Sequence, residues 1–392
     1  MAAGVDRRAM AALSSGHLAT DFANGALPAL LPFLVHRFGL TYALAGVVML
    51  AWAISSSVIQ PLFGLWSDRR GAVWLLPAGL AAGGVGIGLA SASPAYWLVL
   101  LFVVVSGLGT AAYHPEGSKF AAYASGNRRA SGMSLFSIGG NVGYALGPIV
   151  ATALVVQLGL TGGLLLALPC LAVAAALVWL TPFLESFAPA PGARLRWTGD
   201  DRPRAMALLL AVIAIRNVGW FSLVTFVPLY EVSLGHSESH GNRLLSLMLL
   251  SGGIGTLAAG PLADRVGRRP VLLGSLLLTG PLILVYLAVG GGAGVVALAL
   301  IGACVIGTFG VTMVMGQEYL PHRIGMASGL TVGFGIGIGG VGAVVVGALA
   351  DRIDLDSALY VAAATPVVAL ALAVFLPPTG ARRRLEPEFV TP

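Results

Sequence analysis

Apolar residues run along this chain in stretches of about twenty, separated by short polar turns. They do not repeat at every second or every third and fourth position, as they would in a water-soluble fold. The stretches fall roughly at 9–34, 42–65, 72–90, 95–123, 132–157 and 162–180. After a polar break they resume at 205–230, 244–262, 271–289, 294–320, 326–350 and 358–376. About 20 residues cross the hydrocarbon core of a bilayer, so the pattern predicts an all-α membrane protein with twelve transmembrane helices. Composition agrees: 10% of residues are charged, against about 25% in soluble domains. Glycines, 54 in all, sit largely inside the stretches, where small residues let membrane helices approach closely.

Charge placement orients the array. Of 22 Lys and Arg, 18 fall at the two ends and in the turns on their side, while Arg37, Arg243 and Arg352 fall opposite and Arg216 lies within a span. The positive-inside rule then puts both termini in the cytoplasm. The net charge of +6 is a topology signal and not a nucleic-acid footprint. His17 and Asp21 interrupt any signal-peptide core. Cys170 and Cys304 both fall within spans, so no disulfide is expected.

The chain is written twice. Shifted by 196 positions, Pro32 falls on Pro228 and Gly39 on Gly235, while Gly64, Asp68, Arg69 and Gly71 fall on Gly260, Asp264, Arg265 and Gly267. Two six-helix halves follow, 1–184 and 205–392, joined by a cytoplasmic linker at 185–204. Parallel repeats of this kind place a binding site near the midplane between them.

Both copies of the Gly-x-x-x-Asp-Arg loop follow the second span of their half. An Asp among several Arg exceeds what anchoring requires, and the set Asp68, Arg69, Asp264, Arg265, Arg268, Glu318 and Arg323 reads as a cytoplasmic gate that locks and releases. These paired loops resemble the signature of the major facilitator superfamily. "GGNVGYALGP" (139–148) resembles its antiporter motif, with Gly139, Gly143, Gly147 and Pro148 in register as helix-packing residues. "GHLATD", "QPLFGLWSD", "YHPEGS" and "QEYLPHRIGMASGL" resemble, within that superfamily, the fosmidomycin resistance protein family. The resemblance covers almost the whole chain. It implies a proton-driven exporter of small drugs in a bacterial inner membrane, named for a phosphonate antibiotic. The residues themselves carry no enzyme or cofactor motif, and a transition metal on His17, Asp21, His114 and Glu116 is the lesser reading, because no Cys joins them.

His17 and Asp21 are four apart on one helix face, past the midpoint of the first span, and a carboxylate there costs about 2.5–3.5 kcal/mol on the lenient insertion scale. Subtracting the repeat offset from Arg216 gives position 20, beside Asp21. The two charges therefore lie at one depth on the first and seventh spans, which line the central cavity in the superfamily. Two readings stand: a static Asp21–Arg216 salt bridge, or a working pair in which Arg216 holds an anion and Asp21 with His17 exchanges protons. Intramembrane ionisable residues favour the second.

In "YHPEGS", His114 and Glu116 lie about 200° apart on the helix, so one or the other completes the proton path, and Glu116 alternatively pairs with Lys119 or Arg128. Asn24, Asn141, Asn217, Trp220 and Gln317 complete the expected substrate lining, and Phe22, Trp52, Phe136, Phe221 and Phe334 its apolar wall. "GHSESH" (235–240) reads as a solvated outer loop, because a zinc site needs more ligands than two histidines. The expected partners are a small molecule, protons and lipid, with the chain a monomer. The alternatives are a proton-symport importer and a membrane sensor that does not transport.

Overall fold

A computed structural model describes residues 4–70, 72–126, 129–187 and 200–379. Twelve helices among them are long and apolar enough to cross a membrane. They are α1 (Arg7–Phe38), α2 (Tyr42–Gly64), α3 (Leu75–Ala92), α4 (Tyr96–Ala124), α5 (Gly132–Leu158), α6 (Leu160–Glu185), α7 (Pro203–Ser233), α8 (Glu238–Val266), α9 (Arg268–Val289), α10 (Gly291–Tyr319), α11 (Leu330–Ala350) and α12 (Leu355–Ala373). An even number of crossings returns both ends to one face, here the terminal face; the other is the far face.

The 196-residue offset recurs in the helices themselves. Arg7 and Pro203 start α1 and α7, and Tyr42 and Glu238 start α2 and α8. Packing recurs too: α1 lies against α5 as α7 lies against α11, and α3 against α4 as α9 against α10. The expected linker, 185–204, falls mostly outside the described residues.

Helix ends follow local chemistry. Asp6 caps α1 by accepting from the Ala9 N–H at 2.8 Å, and Gly39 ends it in the left-handed conformation (φ 61°). Several spans are interrupted. α2 breaks at Val58 and Ile59, α10 at Thr308, and α11 opens with a π turn over Leu330–Phe334. Such breaks inside a bilayer leave backbone groups that neighbouring helices must satisfy.

The α1–α5 contact is set by glycine spacing. Gly139, Gly143 and Gly147 recur every four residues and face the main chain of Ser14, Leu18 and Phe22. A β-carbon at any of the three would overlap α1 backbone, so the two helices touch without side chains between them.

Between the halves, α2 packs along α11 and α5 along α8. Among the described residues, the hydrogen bonds that cross between halves join their far-face ends. Asp351, at the end of α11, accepts from the Tyr42 and Ala43 N–H groups at 2.7 and 2.9 Å and so caps α2. Asn242 of α8 donates to the Ala29 carbonyl at 3.0 Å and to Thr152 Oγ1 at 2.7 Å.

Candidate functional site

Asp21 lies in α1 between two imidazoles. Its Oδ2 is 3.2 Å from His17 Nε2, one turn back on the same helix, and its Oδ1 is 3.3 Å from His114 Nε2 on α4. Asn24 Nδ2 donates to the same Oδ1 at 2.9 Å. Asn24 Oδ1 is held in turn by Trp52 Nε1 at 3.1 Å and Thr110 Oγ1 at 2.8 Å. Helices α1, α2 and α4 thus all contribute to one carboxylate, which keeps 20% of its side-chain surface exposed.

The remaining ring nitrogens fix the proton arrangement. His17 Nδ1 is 2.8 Å from the Phe136 carbonyl, and His114 Nδ1 is 3.1 Å from the Thr110 carbonyl. A carbonyl oxygen only accepts, so each Nδ1 carries a proton. Both Nε2 atoms face the carboxylate, and each contact becomes a hydrogen bond only with a proton in it. Two protons satisfy both contacts. With one, a nitrogen lone pair confronts a carboxylate oxygen, and that imidazole is pushed away. The geometry therefore depends on how many protons the cluster holds.

Phe136 stacks on the His17 ring at 4.1 Å, and the two imidazoles meet edge-on at 5.1 Å. Phe136 and Trp52 are therefore parts of the cluster's support. Phe22, Trp220 and Phe221 are buried as well, whereas Phe334 is 45% exposed beside a lateral fissure between α2 and α11. Asn24, buried at 6% exposure, is likewise engaged on Asp21.

Arg216 does not pair with Asp21, so the static-bridge reading falls. It is 2% exposed, with Nη1 donating to Thr308 Oγ1 at 3.1 Å and the guanidinium 4.7 Å above the Phe309 ring. The break in α10 at Thr308 brings both of these groups to it. Nε and Nη2 have no partner among the described residues. These two donors share one edge of the guanidinium, the edge that grips a carboxylate or phosphonate with two parallel bonds. The neighbouring Asn217 is also buried, its Oδ1 without a partner among the described residues. Asn141 of α5 faces Gly253 of α8 across the two halves, and Gln317 is half-buried in α10.

Glu116 turns away from this cluster. Its Oε2 lies 2.7 Å from Lys119 Nζ, the alternative that the sequence left open, and His114 alone of the two joins Asp21. In the expected gate, Arg268 Nη1 and Glu318 Oε1 lie 2.6 Å apart, and Arg323 Nε is 3.6 Å from Asp201 Oδ2. Asp264 and Arg265 are exposed, with no ion pair among the described residues. The side chains of Asp68 and Arg69 lie outside what is described.

Two residues, Gly140 and Glu231, were not singled out in the sequence. Gly140 faces His17 and Asp21, where a β-carbon would meet the ring and the carboxylate. "GHSESH" is not simply solvated: His236 and His240 both reach Glu231, a buried residue at the end of α7. The ligand-capable atoms of His17, Asp21 and His114 lie within 4.8 Å of one another, as do those of Glu231, His236 and His240.

Comparison with known proteins agrees with the fold. The family model described as Major Facilitator Superfamily matches residues 13–340 and 242–390. The chain is 36% identical over 377 residues to YfnC of Bacillus subtilis (strain 168), an uncharacterised MFS-type transporter, covering 92% of this chain and 90% of that one. It is 32% identical over 380 residues to the fosmidomycin resistance protein of Escherichia coli (strain K12), covering 94% and 92%. In three dimensions it resembles the nucleoside transporter NupG, with a TM-score of 0.74 at 14% identity over 94% of this chain and 99% of that one. A bacterial homologue of the lysosomal transporter Spinster gives 0.70 at 15%, over 94% and 96%. With twelve spans, a duplicated half and relatives matched nearly end to end, the chain belongs to the major facilitator superfamily of membrane transporters.

Proposed function

We propose that this transporter exports a small anionic organic compound across a bacterial inner membrane in exchange for protons, with both termini cytoplasmic. The observation that carries the reading is the pairing of two unequal sites. One is a carboxylate, Asp21, whose two imidazole contacts each require a proton. The other is a buried cation, Arg216, with an unused two-donor edge.

Each half supplies one function. The α1–α4 cluster takes up and releases protons, and imidazoles suit that exchange near neutral pH. Arg216 on α7 receives the anionic group, and its planar fork suits a carboxylate or phosphonate better than an ammonium would. Losing a proton sets one imidazole against Asp21, and the α1–α4 packing responds to that repulsion. In the proposed orientation the far face is external, so Asp351 and Asn242 hold the outside closed while Asp264 and Arg265 stand open to the cytoplasm. The relative named for fosmidomycin resistance supports efflux and an anionic substrate.

The test uses proteoliposomes and fosmidomycin as the probe. An acidic lumen is expected to drive accumulation in the wild type, as proton exchange requires, and an alkaline lumen is not. Asp21→Asn is expected to abolish accumulation against a gradient while retaining probe binding and passive exchange. Accumulation driven only by an alkaline lumen would replace exchange with symport, and full accumulation by Asp21→Asn would remove Asp21 from coupling.

A further inference from the structure

We propose that Glu231, His236 and His240 form a binding site for a divalent transition-metal ion on the far face, separate from the transport path. Glu231 lies in the last turn of α7 and is 4% exposed. The chain reverses through Gly235 at φ 87°, which brings the next residues back over the helix end. The backbone fixes both histidines there. The His236 N–H donates to the Glu231 carbonyl at 3.0 Å, and the His240 N–H donates to Ser237, the cap of α8.

The three side chains converge on one point. His236 Nδ1 is 2.6 Å and His240 Nε2 is 3.5 Å from the same oxygen, Glu231 Oε2. All three ligand atoms lie within 4.8 Å of one another. An ion bound at about 2.0–2.2 Å from each fits between them once His236 draws back slightly from its hydrogen bond. The other carboxylate oxygen, Oε1, accepts from Tyr286 Oη at 2.7 Å, the kind of outer hydrogen bond that orients a metal-binding carboxylate. His236 and His240 are 51% and 40% exposed at their side chains, so an ion can enter and water can fill its remaining positions.

The ligand set selects the ion. Two imidazoles and one carboxylate suit zinc, cobalt, nickel or copper, and disfavour magnesium and calcium, which take oxygen ligands. Imidazoles bind metal only when neutral, so protons compete with the ion and acid weakens its binding. A bound ion ties the end of α7 to the start of α8. His240 precedes by two residues Asn242, which clasps Ala29 and Thr152 of the other half. The ion therefore stiffens the helix that must pivot when the far face opens. Neither Asp21 nor Arg216 is involved, so the proposal stands or falls independently of the transport reading.

The test titrates cobalt(II) into the full-length, metal-stripped protein, purified at pH 8 without a polyhistidine tag. Visible absorption reports ligand geometry and stoichiometry. The wild type is expected to bind one ion at this site with micromolar affinity, weaker by tenfold or more at pH 6. His236→Ala and His240→Ala, both at exposed positions, are each expected to lose at least tenfold in affinity while melting normally without metal. His114→Ala is expected to leave this ion in place. Absence of cobalt binding by the wild type would overturn the proposal. So would binding that survives both loop variants and disappears with His114→Ala, which would put the ion at the α1–α4 cluster.

Discussion

Gly140 on α5 and His17 on α1 are in such close contact that a β-carbon on the glycine would lie about 2.5 Å from the ring and 2.6 Å from Asp21 Oδ2. The α1–α5 glycine seam places them there. Because Gly139 and Gly143 hold the two backbones together, neither helix can retreat to admit a side chain. Gly140→Ala is expected to leave the twelve-helix fold intact and to displace His17 from Asp21. Gradient-driven transport in proteoliposomes should fall at least tenfold, with passive exchange retained. Wild-type accumulation in this variant would show that the close approach has no part in coupling.

The two carbonyl contacts make a spectroscopic prediction. With 15N-labelled histidine, the neutral forms of His17 and His114 should both carry their proton on Nδ1, whereas free histidine favours Nε2. Asp21→Asn removes the carboxylate but not the Phe136 and Thr110 carbonyls, so the tautomers should persist in that variant. A neutral form protonated on Nε2 at either residue would contradict this proton arrangement.

What could be read from the sequence follows the range of each interaction. The span count, the repeat and the His17–Asp21 pair all depend on spacing along one helix, and they were legible. The similar offsets of Asp21 and Arg216 from the starts of α1 and α7 were legible too, but an offset along a helix does not give direction. Arg216 turns into its own half because the α10 break at Thr308 offers it a hydroxyl and an aromatic face. His114 reaches Asp21 only through the packing of α4 on α1, and Glu231 meets His236 only because the chain reverses at Gly235. Neither contact leaves a periodic trace. Gly140 was hidden for another reason: among so many glycines, the one facing a side chain looks like those facing backbone.

On the proposed transport reading, the far-face hydrogen bonds between the halves weigh the balance between open and closed forms. Asp351 accepts two backbone N–H groups at the start of α2, where the helix dipole also favours a negative charge. Asp351→Ala removes both bonds, a loss of about 1–2 kcal/mol, or roughly 5- to 30-fold in the population ratio. Spin labels at Arg37→Cys and Ser237→Cys, in a background lacking Cys170 and Cys304, should report a wider far face in the variant. Asn242→Ala should add to the effect, because it frees a separate pair of acceptors. An unchanged distance distribution in the double variant would mean that apolar packing of α2 on α11 holds this face alone.

Arg216 allows function and stability to be separated. A buried cation with no carboxylate partner and two unused donors among the described residues is unfavourable in the ligand-free protein, and its removal relieves that cost. Arg216→Met, which keeps much of the apolar volume, should therefore stabilise the ligand-free protein by about 1–3 kcal/mol and raise its melting temperature in detergent. The same variant should lose the further rise that an anionic ligand gives the wild type through binding to the folded state. Arg216→Lys restores charge without the planar fork, so it should recover a small part of the ligand response and none of the geometry. Melting curves with and without fosmidomycin, read beside direct binding, distinguish the cases. If Arg216→Met instead melts lower without ligand, the contacts with Thr308 and Phe309 outweigh the buried charge, and Arg216 serves the fold of α7 on α10 rather than the capture of an anion.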